Sequence, residues 1–367
     1  MAQTELEAAR LTVRLGALKA NYREIARRVG AAKVAPVVKA DGYGTGMAAV
    51  SRELAGVGAD TFFVARLQEG IDLRKALPKV RIFVLDGLKA GTASLYRANN
   101  LTPVLNALDE ISEWSAAARD ARIKLDAGIQ IDTGMSRSGL PRTDTETLAG
   151  EASARLNGIN VSLWLSHLSC SDDPKHKMNR AQLERFRAAL AKLPPAPASL
   201  SASGGIGLGR DYDFDMVRPG IALYGGNPQP ALPNPYHVVA RLTGRVLQVR
   251  RVDLGDTVGY GATFTAGKPL KLVTVSLGYA DGLSRALAGR GQAVLGGVRV
   301  PFAGRISMDL AVLDATNVPD AACKRGVEVE FFGDTISLEE IADAANTVNY
   351  EIITGIAARV PRVYVEG

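Results

Sequence analysis

Residues 37–44 read VVKADGYG, and how Lys39 is understood decides the fold. The run AKVAPVV (32–38) is small and apolar apart from Lys33, and it ends in that single amine. Asp41-Gly42 then turns the chain, Tyr43-Gly44 follows, and a helix-like segment begins beyond. A primary amine at the exit of a buried strand is what a protein needs to hold a carbonyl cofactor as a Schiff base. The plain alternative is a strand-ending lysine in water. The other strand ends of the chain separate the two readings.

Short apolar runs alternate with amphipathic, alanine-rich stretches from about residue 11 to 230. Predicted strands are VAPVVK (34–39), TFFVAR (61–66), RIFVLD (81–86), LTPVLN (101–106), IKLDAGIQID (123–132), INVSLWLSH (159–167), ASLSAS (198–203) and IALYG (221–225). Helical spacing of three and four marks 15–29, 46–58, 67–77, 108–121 and 179–193. About eight strands, each followed by a helix or helix-like turn, predict an α/β fold with an N-terminal (β/α)8 TIM-type barrel. A doubly wound sheet is the competitor, weakened because no G-x-G-x-x-G loop follows the first strand.

The proline-rich PNPYHVV (233–239) separates this region from one of different texture. Beyond it, short β-type runs recur between glycine turns, as in QAVLGGVRVPFAGRISMDLAVLD. The expectation is a barrel domain over 1–235 and a mainly antiparallel β domain over 236–367, with one helix at 336–348 and a last strand, RVYVE.

The 367 residues allow two domains and a large core, and 47% hydrophobic content marks a globular chain. No apolar run is long enough to cross a membrane, and the start MAQTELEAARLTVRL lacks a signal-peptide core, so a cytoplasmic protein without membrane association is expected. Only two cysteines occur, Cys170 and Cys323, which excludes a disulfide framework. The net charge of +6 raises nucleic acid as a partner, but the basic residues are scattered among acids with no binding signature, so none is expected.

Functional groups in a barrel gather where strands end. Lys39 stands there with Tyr43 beyond; the fifth strand leads to Asp132-Thr-Gly-Met-Ser-Arg137, and the sixth ends in His167. Ser203-Gly204-Gly205 follows the seventh, and Arg218-Pro-Gly220-Ile221 precedes the predicted eighth. The turns at Gly204-Gly205 and Gly220-Ile221, with the Ser203 and Tyr43 hydroxyls, could cradle a phosphate or could be ordinary turns. His167, His176 and His237 lack metal-ligand spacing, so no metal is expected, and no nucleophile elbow is present. An amine, a phosphate cup and cations for an anionic substrate are together what pyridoxal 5'-phosphate requires.

Seven motifs then carry a resemblance. VVKADGYG (37–44), IDTGMSRSG (131–139), SHLSCSDD (166–173), MVRPGIALYG (216–225), GYGATF (259–264), SLGYADG (276–282) and GRISMD (304–309) follow the order and spacing of the alanine racemase family. The chain resembles that family over essentially its whole length. The resemblance implies an isomerase interconverting L- and D-alanine for peptidoglycan synthesis, and a head-to-tail homodimer with shared sites. Lys39 matches the lysine that binds the cofactor and exchanges a proton on one face of Cα. Tyr260, from the other subunit, matches the tyrosine on the opposite face. Such a phenol, with an ordinary pKa of about 10, needs cationic neighbours to act as a base. By the same resemblance, Arg218 faces the pyridine nitrogen with His167 bonded to it, and Arg137 and Met308 contact the substrate carboxylate. Tyr43, Ser203, Gly220 and Ile221 hold the cofactor, while Asp172, Tyr279, Arg285 and Arg305 line the entrance.

Three positions depart from the family pattern. Gln130 stands where many relatives carry a carbamylated lysine bracing the arginine; Ala358 replaces a tyrosine, and Ala202 an asparagine. Alternatives are a racemase of broader or shifted specificity, for serine, lysine or arginine, and a barrel-type decarboxylase. A non-catalytic cofactor-binding protein would resemble the barrel alone.

Overall fold

The computed structural model describes residues 7–366. Thr61–Val64, Arg81–Val84, Thr102–Leu105, Leu125–Gln130, Ile159–Leu165 and Ala198–Ser199 pair in parallel, each with the next. Residues 61–64 and 102–105 are wholly buried, which is why these strands read as continuous apolar runs without alternation. Phe63 and Phe83 stack at 4.8 Å between neighbouring strands. Lys33–Val34 pairs in parallel with Met216–Val217, and single bridges Val37–Phe63 and Ala202–Arg218 join this pair to the six. Eight short strands therefore complete the expected barrel.

Two expectations about its closure are corrected. The predicted strand 34–39 is regular only at its start: Lys33–Val34 forms the ladder, and past Pro36, which has no N–H to give, pairing continues as single bonds, Val37 N–H to Pro219 O at 2.8 Å and Val38 N–H to Phe63 O at 2.9 Å. The segment 221–225 is not the eighth strand: Ile221–Tyr224 is a wholly buried 3-10 turn, and Met216–Val217 is the strand. A short buried apolar run carries no periodicity that distinguishes the two. Arg218 and Gly220 consequently follow the eighth strand instead of preceding it, which brings them to the barrel mouth.

The second sheet is built on Ala240–Val252, which pairs antiparallel with Ala9–Arg14, Leu270–Val275 and Glu328–Phe332. Ala9–Arg14 also pairs in parallel with Arg362–Val365, so both ends of the described chain meet in this sheet. The helix predicted over 336–348 is Leu338–Ala345, and an unpredicted second helix, Asn349–Thr354, follows it. Asn346 takes the left-handed conformation that ends the first, and extended Val348 leads into the second. That second helix packs over the segment carrying Lys39, so the β domain closes one side of the barrel mouth.

Candidate active site

A cavity of about 980 Å³ opens at the C-terminal ends of the barrel strands. Lys39, Tyr43, Gln130, Arg137, His167, Ser203, Arg218, Gly220 and Ile221 all line it. Lys39 is therefore not a lysine dangling in water. Burial and the nearby Arg137 push its ammonium below the usual lysine range, with Glu69 and Asp86 opposing. A lowered value leaves more free amine, the nucleophilic form.

The Asp41-Gly42 turn is more than a reversal. Ala40, Asp41, Gly42 and Tyr43 have φ of 52°, 53°, 63° and 56°, one turn of left-handed helix. Gly42 N–H donates to Val38 O at 2.9 Å, and Gly44 N–H to Ala40 O at 2.8 Å. Ala40, Asp41 and Tyr43 carry Cβ atoms, so each is disfavoured there by about 1–2 kcal/mol. Distant parts of the chain hold the turn. Arg362 Nε donates to Gly44 O at 3.0 Å, and the Tyr364 hydroxyl to Thr45 O at 3.1 Å.

At the cavity floor, Ser203 Oγ accepts the N–H of Gly220 at 2.9 Å and of Ala222 at 3.3 Å, which leaves its own proton free to donate. Arg218 is buried. Its guanidinium donates to Ser199 Oγ and, at 2.6 Å, to Ser166 O. Its bonds go to these groups, and none goes to His167, contrary to the pairing the resemblance implied. His167 presents an edge to the cavity but is otherwise packed among barrel atoms. Burial, then Arg218, Arg137 and Lys39, drive its pKa down to about 3, so the ring is neutral.

Gln130 Nε2 donates to Ser138 Oγ at 2.9 Å and Ser138 O at 3.1 Å. The amide thus fixes the residue beside Arg137, not Arg137 itself. Among the described residues, no carboxylate forms an ion pair with Arg137.

Tyr260, Tyr279, Arg285, Arg305, Met308 and Asp172 do not line this cavity. Tyr260, 72% exposed, belongs to the loop over 259–263, which lies against Arg305. Tyr279 N–H donates to Ser307 O at 3.0 Å, and the Arg285 guanidinium lies 5.8 Å from the centre of the Tyr279 ring. These loops place two phenols and two arginines on the exposed surface of the β domain.

Reasoning from sequence missed several lining groups. Asp86 and Asn106 stand just past strand ends, so the strand-end rule could have found them. Tyr350 and Thr354 arrive on the helix of the β domain, and no local signal marks them. Tyr350 lies 6.3 Å from Tyr43 between ring centres, so a tyrosine borders the site although position 358 is alanine. Among the described residues, no group of three or more His, Cys, Asp or Glu could hold a metal ion, and no helix is long and apolar enough to cross a membrane.

The donor set fits pyridoxal phosphate. Lys39 offers an amine with a depressed pKa, and Ser203 with the Gly220-Ile221 backbone forms a tight polar recess in which a side chain at 220 would collide with the Tyr43 hydroxyl. Arg137 and Arg218 supply positive charge on the same walls.

Comparison with known proteins agrees with this reading. Residues 13–228 match the family model "Alanine racemase, N-terminal domain", and 239–364 match "Alanine racemase, C-terminal domain". The catabolic alanine racemase of Agrobacterium fabrum is 46% identical over 357 residues, 97% of this chain and 92% of that protein. The alanine racemase of Methylobacterium nodulans is 44% identical over 367 residues, covering 100% and 99%. The structure of alanine racemase from Bartonella henselae with covalently bound pyridoxal phosphate superposes with a TM-score of 0.94 at 37% identity, covering 98% of this chain and 100% of that one.

Proposed function

This chain belongs to the alanine racemase family, and on that footing we propose that Lys39 and, from a second copy of the chain, Tyr260 are the two proton-transfer groups of a pyridoxal-phosphate-dependent enzyme that interconverts L- and D-alanine. Pyridoxal phosphate, when bound, supplies the electron withdrawal that makes an amino acid's Cα–H acidic. Lys39 holds the cofactor and then gives or takes the Cα proton on one face. The Tyr260 hydroxyl does the reverse on the other. The Ser203 hydroxyl and the Ile221 N–H are assigned to phosphate, with the Gly220 N–H turning to it from Ser203 Oγ, while Arg218 keeps a positive charge on the floor with neutral His167 beside it.

One observation carries the reading: the amine with a lowered pKa stands inside a cavity that also gathers a phosphate cup and two arginines. The exposure of Tyr260, away from its own chain's cavity but beside Arg305, supports its delivery to another molecule. Arg137 and the Met308 backbone are assigned to the substrate carboxylate, and Asp172, Tyr279, Arg285 and Arg305 to the entrance.

Mixing tests the shared site. Lys39→Ala and Tyr260→Phe chains are each expected to be inactive, and re-formed mixtures should regain about a quarter of full activity through dimers with one intact site. Mixed dimers without recovery would refute it. Solvent deuterium should enter the Cα of alanine faster than that of serine, lysine or arginine; preference for another amino acid would overturn the substrate assignment.

A further inference from the structure

The left-handed turn after Lys39 has the problem of every helix start: its first N–H groups have no acceptor within the turn. Ala40 is the first such residue, and its N–H donates to Glu69 Oε1 at 2.7 Å. Glu69 lies 29 positions away, in the first turn of Leu67–Ala76. Its other oxygen accepts Ala65 N–H at 2.9 Å and Arg66 N–H at 3.0 Å. One carboxylate thus ties together the end of the neighbouring barrel strand, the start of the following helix, and the residue next to Lys39.

We propose that Glu69 is the positioning residue for Lys39: its carboxylate caps the left-handed turn from outside and so keeps the lysine side chain directed into the cavity. This rests on the assignment of Lys39 to the cofactor. Each of its oxygens accepts N–H hydrogen bonds, so the site needs a group with an acceptor at both positions. Glutamine has the same shape, yet its NH2 would confront either Ala40 N–H or the Ala65 and Arg66 pair. The charge acts in a second way. Glu69 and Asp86 favour the Lys39 ammonium, against Arg137, with His167 and Arg218 on the same cavity wall. Glu69 therefore moderates the loss of the lysine's proton as well as its aim.

Amide hydrogen exchange on the purified holoenzyme separates this role from a general structural one. In Glu69→Gln, exchange at Ala40 should quicken by at least about tenfold, while Leu73, buried in the same helix, keeps its protection. The cofactor dissociation constant should rise by about tenfold, with kcat falling more than KM. Unchanged Ala40 exchange and cofactor affinity would overturn the proposal, as would equal loss of protection at Leu73. Should Glu69→Gln fail to fold, the wild-type protein still decides: the Ala40 amide must exchange at least about tenfold more slowly than an unbonded amide, and unprotected exchange there would overturn the capping role. Lys39→Ala keeps the Glu69–Ala40 bond, so cofactor still held covalently in that variant would refute the Lys39 assignment alone.

Discussion

A side-chain carbon placed on Gly220 would lie 2.0 Å from the hydroxyl oxygen of Tyr43. Tyr43 has little freedom to retreat, since its ring stacks on Tyr224 at 4.7 Å. Overpacking of this kind costs about 1–3 kcal/mol. Gly220→Ala is therefore expected to weaken cofactor binding by at least about tenfold. A cofactor titration checks it, and in denaturant unfolding the double change Gly220→Ala/Tyr43→Phe, which removes the clashing oxygen, should recover part of the stability that Gly220→Ala loses.

Arg218 is a buried fork whose acceptors are a hydroxyl and backbone carbonyls. Burial lowers its pKa to about 10, which still leaves it charged. Arg218→Lys retains a charge but cannot reach Ser199 Oγ and Ser166 O together. Denaturant unfolding should show a loss of ~2–3 kcal/mol, the scale of a charge-assisted hydrogen bond left unmade. A variant as stable as the parent would show that the fork geometry is dispensable.

His167 behaves as a neutral ring because burial and three cations oppose its protonation. Its pKa in the folded chain, about 3, lies below the ordinary value of 6.5. The unfolded chain thus takes up the proton first, and the stability this ring contributes is complete above about pH 6.5 and declines as pH falls toward 3. Replacing it with Gln should flatten the acid limb of stability across that window. Carbon chemical shifts of the ring should stay constant down to about pH 5, and a titration midpoint near 6.5 in the folded protein would contradict the assignment.

Asp213 lies on the opposite end of the barrel, just before Met216–Val217, with Oδ1 buried and unpartnered. Burial pushes its carboxyl up to about 7, against the opposing pull of Arg210. A raised carboxyl favours the folded state in its protonated form, so that contribution is full below about pH 4 and lost as pH rises to about 7. Asp213→Asn should stabilise the protein by ~2 kcal/mol above pH 7 and give no gain at pH 4. Thermal unfolding at the two values checks it, with racemisation unaffected.

Barrel and β domain were both legible because burial writes itself into local spacing. TFFV and TPVL read as strands since both faces are covered, and 15–29 reads as a helix from one buried stripe. The misreading of 221–225 has the same origin. IALY is apolar because it is buried, and burial alone does not choose between strand and 3-10 turn.

The sequence by itself determined that the Lys39 amine, His167 and Ser203 stand just past strand ends and that Arg137 follows the fifth strand, whereas Arg218 reached the mouth only through the corrected eighth strand. Those assignments depend on neighbours a few residues away, and that information is local. Tertiary structure alone decided the left-handed course of residues 40–43, the capping of Ala40 by Glu69, the arrival of Tyr350 beside Tyr43, and the exposure of Tyr260 outside its own cavity. Each of these joins residues far apart in the chain or depends on where a domain sits. Only the packed fold can offset a backbone strain of about 1–2 kcal/mol per residue and sustain it.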